Sequence, residues 1–524
     1  MTAPPAAAKR LSRHAGTAAA LVGLLLVALW AYGWFVTRGG LASDDWALMS
    51  EISLPVEGGW WNGVEGLWDR ASYRPFSVAY YAVVFEALGT NGSLHLLWSV
   101  AVTTAFAGAL FSVLRVAGTR TPHAFAIAAL VLVAPMGDAA VLWPSATPIR
   151  FAGALYLAGL TIALLGMREG RPAGRARALH AAAIGCYVAA IWTYELTAAL
   201  TAAGLLTYLA VAPWRRALGR WAVDMAVMAA AMTWTLAQTP KQVQDPEQAW
   251  AHAKIIVKQL WQLYGDVAAP PGVPGGMAGP VTIGVGVVGV VLLVRARRGG
   301  DDRPAAAEAR RWAITGLIAL VYTMAAYVVF VPADVYYSPE AVNFGNRVNG
   351  VGIAPLVLLA YCAAMVLATL AFQGRRIRGV SAAMVAGLVY AVVMLISYNG
   401  ALRDHERQYV QSSDTALAAL DAIEQAVPRP MPGTLVLTSG VPPLVATDLP
   451  VFAATWDLQG AVRLRYRDPS LDAFNAYLGF ECAADGITVP AGPPGRYGHT
   501  VVVDVPGGRA WRIDSARACE AARP

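Results

Sequence analysis

Hydrophobic residues in this chain come in long runs separated by short polar connections. From about Ala15 to Val36 the sequence is almost wholly apolar, and at about 1.5 Å per helical residue such a run crosses a hydrocarbon layer of about 30 Å. Runs of the same kind recur near 94–116, 122–137, 149–167, 178–194, 195–212, 221–238, 278–295, 312–331, 348–371 and 380–398. Length and pattern together predict about eleven membrane-spanning helices.

The first run is preceded by Lys9, Arg10 and Arg13 and is longer than a signal-peptide core, so it reads as an uncleaved anchor behind a cytoplasmic tail over residues 1–14. From that start every connection acquires a side. The inner ones hold Arg115 and Arg120; Arg168, Arg171, Arg175 and Arg177; Arg215, Arg216 and Arg220; Arg295, Arg297, Arg298, Arg310 and Arg311; and Arg375, Arg376 and Arg378. The outer ones hold far fewer, as the positive-inside rule requires. An odd number of spans puts the N-terminus in the cytoplasm and the C-terminal segment outside. The expectation is a multi-pass protein of the cell (inner or plasma) membrane.

Three outer segments are not spans. Residues 38–93 form a long Trp-rich first loop. Residues 239–277 contain "PEQAWAHAKIIVKQLWQLYG", apolar at helical spacing like an interfacial helix, with Lys254 and Lys258 one turn apart to meet anionic head groups. The third, 399–524, reads helical from Ala401 to Ala426, after which "GTLVLTSG", "AVRLRYRD" and "HTVVVDVPG" read as short strands between Pro and Gly. The predicted fold class is therefore an all-α polytopic membrane protein, its membrane domain over residues 15–398, with a small mixed α/β extracytoplasmic domain over 399–524.

Composition agrees: 57% of residues are hydrophobic and 14% charged, the balance of a many-span protein rather than a soluble enzyme. The net charge of +7 is carried by the Arg clusters between apolar runs, so it marks topology and no nucleic-acid partner is expected. Cys186 and Cys362 lie in apolar runs and read as small hydrophobes, whereas Cys482 and Cys519 lie in the polar tail and could pair if it is outside. Gly284-Val285-Gly286-Val287-Val288-Gly289 matches a dinucleotide fingerprint but has no preceding strand and sits within a span, where glycines serve helix packing. A phosphate-cradling loop with Lys, Cys-x-x-Cys and His-Glu-x-x-His are all absent from the sequence, leaving nucleotide-driven transport and a zinc centre without a motif.

Candidate chemistry gathers on the outer side. In "GLASDDWAL" Asp44 and Asp45 directly follow the first span. They admit two readings: caps of the next helix, or a general base with a neighbour that orients the acceptor or binds a divalent cation. Arg74 in "YRPF" stands beside a Pro that can open a helix, where it either snorkels to head groups or clamps a phosphate. His95, in "GSLHLLW", reads as an interface residue. "WTYEL" sets Tyr194 and Glu195 in the middle of apolar sequence, either at a wet outer hairpin or at a functional site. In "NRVN" Arg347 begins the tenth span, as an anchor or a ligand of a lipid phosphate, with Asn346 and Asn349 as neutral donors beside it. Arg463, Arg465 and Arg467 alternate as on the solvated face of a strand, with an anionic glycan as the other partner considered.

Four of these elements, "ASDDW" after the first span, "YRPFS" opening a loop helix, "GTNGSLH" before the second span and "YE" at the outer end of a later one, give the chain a likeness. It resembles the GT-C superfamily of membrane glycosyltransferases, especially the branch of protein O-mannosyltransferases and tetratricopeptide-repeat transmembrane mannosyltransferases. The resemblance covers about the first 210 residues and, more loosely, the membrane region to 398. It implies an inverting transfer of a monosaccharide from a polyprenyl-phosphate donor to an acceptor hydroxyl on the outer face. On that analogy Asp44 or Asp45 is the catalytic base, and Arg74, joined by Arg347, holds the donor phosphate. Glu195 orients the acceptor or a Mg or Mn ion, with Tyr194 standing where the family has a Lys and His95 as a further orienting candidate. The tail lacks a tetratricopeptide repeat, so glycan, lipid and protein all stay open as acceptors. A flippase or exporter of lipid-linked saccharide is the alternative of a different class, and a non-catalytic glycan-binding scaffold is the third.

Overall fold

The structure, a computed structural model, describes residues 6–55, 58–239, 245–269, 291, 304–333, 337–342, 344–373, 375–446, 448–477, 479–490 and 492–523; for 6–14 it describes the backbone alone. Helices α1 (Ala6–Arg38), α2 (Asp44–Ser53), α3 (Trp60–Ala71), α4 (Pro75–Leu88), α5 (Gly92–Val116) and α6 (Thr121–Val133) open the chain. Then come α7 (Ala139–Leu142), α8 (Thr147–Gly166), α9 (Ala173–Thr193), α10 (Thr197–Leu209), α11 (Trp214–Gln238) and α12 (Pro246–Ala268). The last described helices are α13 (Pro304–Val328), α14 (Asn349–Phe372), α15 (Ala382–Ala426), α16 (Thr455–Tyr466) and α17 (Ala516–Ala522).

Each predicted span on described residues coincides with one of these helices. The predicted span 278–295, with its glycine motif and Arg295, Arg297 and Arg298, falls almost entirely outside the described residues. Among the described residues, 6 helices are long and apolar enough to cross a membrane: Ala15–Arg38, Gly92–Val116, Pro144–Gly166, Pro304–Val328, Phe344–Phe372 and Ala382–Ala426. Helices α6 and α10 are apolar but shorter. The chain is a mostly helical polytopic membrane protein with a small region of strands near its C-terminus.

Two compact units make up the fold. A helical unit takes the chain up to Trp34, Val100–Val141 and Ala146–Asp404; a loop–tail unit takes Phe35–Ser99, Leu142–Ser145 and the chain from His405 onward. In the helical unit α8 packs along α9 and α13 along α14. Glycine permits these close approaches: a Cβ on Gly159 would lie 2.9 Å from that of Cys186, and one on Gly352 would lie 2.7 Å from the Tyr327 ring. Small residues at helix crossings are what close packing in a bilayer requires. Polar groups in this unit are tied inward. Arg220 and Asp224, one turn apart on α11, form a buried pair at 2.6 Å, and Tyr208 of α10 donates its hydroxyl to Asp224 at 2.7 Å.

The loop–tail unit has several apolar cores, one of which ties the first loop to the tail. Trp46 and Met49 of α2 and Phe85 of α4 pack with Leu420 and Ile423 of α15, Leu458 and Val462 of α16, and Val436 of the sheet. The first-loop helices share a small core of their own, Ile52, Leu67, Val78 and Ala82, and the tail adds the larger one; burying each large apolar side chain is worth about 1.5–3 kcal/mol. The sheet consists of β1 (Leu435–Ser439), β2 (Asp472–Asn475), β3 (Thr500–Asp504) and β4 (Arg509–Ile513), in the order β4-β3-β1-β2. Strand β3 is antiparallel to β4 (Val503 opposite Ala510) and parallel to β1 (Val502 opposite Leu437), and β1 is parallel to β2 (Val436 opposite Ala473). The "LVL" of β1 is buried throughout, as expected of a central parallel strand. A disulfide joins Cys482 to Cys519, pinning α17 beside a small three-stranded sheet (Glu481–Cys482, Gly486–Thr488, Gly495–Arg496).

One predicted strand is a helix. "AVRLRYRD" belongs to α16, which ends where Arg467 adopts a left-handed conformation. The alternating Arg463, Arg465 and Arg467 imitate a period of two, but the buried residues Leu458, Ala461 and Val462 follow the helical spacing of three and four. Two of the three arginines are also already paired within the protein. Arg463 pairs with Asp472 at 2.9 Å, and Arg465 bridges Asp421 and Glu424 of α15.

Candidate functional site

The acidic pair opens α2. Ser43, directly before it, has φ 46° and ψ −123°, a conformation that costs a non-glycine residue about 1–3 kcal/mol and persists only where its surroundings impose it. Those surroundings are hydrogen bonds. Asp45 is fully buried: one oxygen accepts the N–H of Ala42 at 2.8 Å and the other that of Ser145 at 2.7 Å. The indole of Trp143 donates to the Ala42 carbonyl at 3.1 Å, and Tyr81 of α4 donates to the Ser145 carbonyl at 2.6 Å. Asp45 thus fastens the segment 142–145 to the start of α2. Desolvation pushes its carboxyl up to about 8, against the pull of the two amides.

Asp44 has a different environment. It is half-buried, and one oxygen accepts the indole N–H of Trp456 at 2.7 Å. Among the described residues its other oxygen has no hydrogen-bond partner. Next to Trp456, Asp457 is buried and accepts from the Ser43 hydroxyl at 3.2 Å and the Ala454 N–H at 3.3 Å. Burial first and the charge of Asp44 second push the Asp457 carboxyl up to about 7. The two helix starts, α2 and α16, are therefore joined by polar contacts in which Asp44 and Asp457 each keep one oxygen without a hydrogen-bond partner among the described residues, that of Asp457 buried and that of Asp44 on a half-buried side chain.

Arg74 sits at the start of α4 with Pro75 as the first helical residue, and its guanidinium lies 5.1 Å over the Tyr73 ring. Tyr81, two turns along, feels the charges of Arg74, Asp44 and Asp45 together. Burial raises its phenol so far that it stays neutral, a donor rather than a base. His95 lies in the same unit but works as a joint. Its Nε2 meets the Gly89 carbonyl at 2.7 Å and its ring packs against Phe85 at 4.7 Å.

The other sequence candidates belong to the helical unit. Tyr194 is buried and Glu195 half-buried in the short turn between α9 and α10, where the Tyr194 carbonyl accepts the hydroxyl of Thr197 at 3.1 Å. Arg347 is half-buried, lies 5.1 Å over the Phe344 ring and donates to the Phe344 carbonyl at 3.0 Å. Its neighbours are not spare donors. Asn346 bonds Pro135, Asp138 and Ala139, and Asn349 bonds Met136, Glu340 and Tyr327, so both amides clamp the turn before α7. The same unit has an apolar groove of about 700 Å³ between α12, α13 and α14, lined by residues such as Leu260, Trp261, Leu317, Met324 and Leu359.

Sequence reading passes over Trp456, Asp457 and Tyr81. The "WD" after a Pro-rich turn carries no signal until α16 is seen to be a helix. Among the described residues no group of three or more His, Cys, Asp or Glu side chains could hold a metal ion. Asp45 in particular spends its oxygens on backbone amides.

No family model matches the chain, and no curated protein does. Among solved structures, ArnT from Cupriavidus metallidurans is similar in its apo state (15% identity, TM-score 0.46) and bound to undecaprenyl phosphate (15%, TM-score 0.45). In both comparisons 86% of this chain and 85% of that one are covered. The oligosaccharyltransferase of Archaeoglobus fulgidus in the apo form is 13% identical with a TM-score of 0.45, covering 88% of this chain and 64% of that one.

Proposed function

We propose that the chain is an integral membrane glycosyltransferase, moving a monosaccharide from a polyprenyl-phosphate donor to an acceptor hydroxyl on the outer face with inversion at the anomeric carbon. The observation that carries this reading is the division of labour in the acidic pair. Asp45 is consumed by the backbone, whereas Asp44 is oriented by a single indole and keeps an open oxygen, as a general base needs. The family resemblance of "ASDDW" and "YRPFS" points to the same residues.

In the proposed step Asp44 takes the proton of the acceptor hydroxyl as its oxygen bonds to the anomeric carbon. The bond from that carbon to the phosphate oxygen breaks on the opposite face, and its electron pair leaves with the polyprenyl phosphate. Arg74 meets the growing charge on that phosphate. The indole of Trp456 keeps Asp44 aimed, and Asp45 and Tyr81 hold the backbone that carries it. Within the helical unit the apolar groove suits a polyprenyl chain, and Arg347 suits the phosphate of a lipid. Two observations support an outer location: the disulfide of the tail, a bond of oxidising compartments, and the arginines clustered in connections on the other side.

The test is transfer of labelled sugar from polyprenyl-phosphate donors in membranes, comparing wild type with Asp44→Asn and Asp45→Asn at matched protein levels. Loss of transfer in Asp44→Asn with donor binding retained is the expected result. Full activity in that variant would make the pair a structural cap. Wild-type membranes that transfer no sugar but move lipid-linked saccharide across the bilayer would make the protein a flippase.

A further inference from the structure

The loop–tail unit contains a second polar feature, a cleft of about 400 Å³ bounded by α2, α3 and α16. Glycines set how closely its walls approach. A Cβ on Gly63 of α3 would lie 2.5 Å from the Glu51 carbonyl oxygen, and one on Gly460 of α16 would lie 2.5 Å from that of Trp46. Any side chain at either position would push the helices apart and reshape the space between them.

The lining is polar, with one aromatic face. Trp456 stands at the cleft with 51% of its surface exposed, although an indole of that size is ordinarily well covered. Gln459 and Asn62 contribute amides whose nitrogens already donate, to Asp472 and to the Gly58 carbonyl, each at 2.6 Å, and Glu65 and Asp69 contribute exposed carboxylates one turn apart on α3. The cationic groups of the lining are already engaged: Arg70 pairs with Glu51 and Arg463 with Asp472. Among the described residues Glu65 and Asp69 have no ion partner.

This chemistry selects a ligand class. A lipid or apolar peptide would have to desolvate two carboxylates for no return, and an anionic polymer would meet uncompensated negative charge. A neutral sugar fits both halves of the lining. The C–H face of a pyranose lies on an indole, and its hydroxyls donate to carboxylates. Moreover, the indole that borders the cleft is the one whose N–H holds Asp44 at 2.7 Å. A sugar stacked on Trp456 is thereby next to the proposed base.

We infer that this cleft is an acceptor subsite for a neutral saccharide, so that the hydroxyl glycosylated belongs to a growing glycan. The inference rests on the glycosyltransferase reading and names its acceptor class. Binding and transfer are measured separately on the full chain in detergent. Binding is followed by tryptophan fluorescence and calorimetry with three probes: neutral pentasaccharides of glucose, mannose, galactose or arabinose; a hexuronic-acid pentasaccharide; and a Ser/Thr-containing peptide.

At least one neutral pentasaccharide is expected to bind, and the other two probes are not. Trp456→Ala and Asp69→Asn are each expected to weaken that binding by about tenfold, the worth of one good contact. Asp69 is exposed and takes no part in the bond to Asp44, so its variant keeps the test meaningful if Trp456→Ala fails to fold. In transfer assays Asp69→Asn should raise the acceptor KM and leave kcat unchanged. Binding of the peptide or uronic probe alone, no binding of any neutral pentasaccharide, or binding indifferent to both variants would overturn the inference. Saccharide binding that responds to the variants in a protein that transfers no sugar would leave the cleft standing and remove the enzyme reading instead.

Discussion

Asp224 in the helical unit and Asp44 in the loop–tail unit are both carboxylates at helices of a membrane protein, yet their surroundings have little in common. Asp224 is closed in by Arg220, one turn away, and by the hydroxyl of Tyr208, with no exposed surface on its side chain. Asp44 is half-buried and held through one oxygen by an indole from the other end of the sequence. A charge that is neutralised and hydrogen-bonded on the spot supports a packed helix bundle. A charge that is aimed but not satisfied has chemistry left to do. Asp45 is an internal control, since it differs from Asp44 by one position and has both oxygens satisfied, by backbone amides rather than by a cation.

The sharpest break of this contrast is functional. Asp44→Asn should lower sugar transfer by about 10²–10⁴-fold, the usual worth of a general base, with an unchanged melting temperature in detergent. A variant that loses stability and keeps activity would put Asp44 in the same class as Asp224. Conversely, Asp224→Ala leaves Arg220 buried without a counter-charge and should destabilise the helical unit by about 3–5 kcal/mol, read as a lower unfolding midpoint. A midpoint within error of wild type would mean that the pair contributes nothing to the bundle.

A smaller effect is expected in the tail. Replacing Cys482 and Cys519 by Ser opens a loop of 37 residues, and the chain-entropy argument gives a loss of about 3–4 kcal/mol, visible as faster proteolysis of the tail under native conditions. Equal proteolysis with and without the bond would show that the core around β1 suffices.

The finest prediction concerns pH. Burial raises Asp45 to about 8 and Asp457 to about 7, both above the ordinary carboxylate value near 4 that each takes in the unfolded chain. Between those limits the folded state holds protons that the unfolded state has released, so stability should fall as pH rises from about 4 to about 8 and level off above. Asp45→Asn should flatten the upper part of that decline. Melting curves across the range check the sign, and stability that rises over this window would mean that both carboxyls are ionised in the fold.

Much of this molecule could be read before it was seen. Hydropathy locates the helices of the helical unit, "GTLVLTSG" and "HTVVVDVPG" locate β1 and β3, and the pairing of Cys482 with Cys519, which the sequence leaves open, is present in the structure. At "AVRLRYRD" three arginines at alternate positions imitate a strand and mask an apolar face at helical spacing. Asn346 and Asn349 read as free donors, because nothing local shows that the turn 135–139 will come to meet them. The acidic pair was found as a place but not as two residues. What separates Asp45 from Asp44 is Ser145, 100 residues away, and Trp456, 412 residues away.

The sequence by itself determined that the chain is a polytopic membrane protein built of long apolar helices, and that an acidic pair and an Arg-Pro element follow the first apolar run. It could do this because the cost of placing a segment in hydrocarbon is a sum over some 20 neighbouring residues, each counted nearly independently. Only the tertiary structure decided which aspartate is consumed and which is open, that α16 is a helix whose tryptophan orients Asp44, and that a sugar-sized cleft lies beside it. Desolvation and hydrogen bonding of a single carboxylate depend on the few groups within about 3 Å, and here those groups come from segments far apart in the chain.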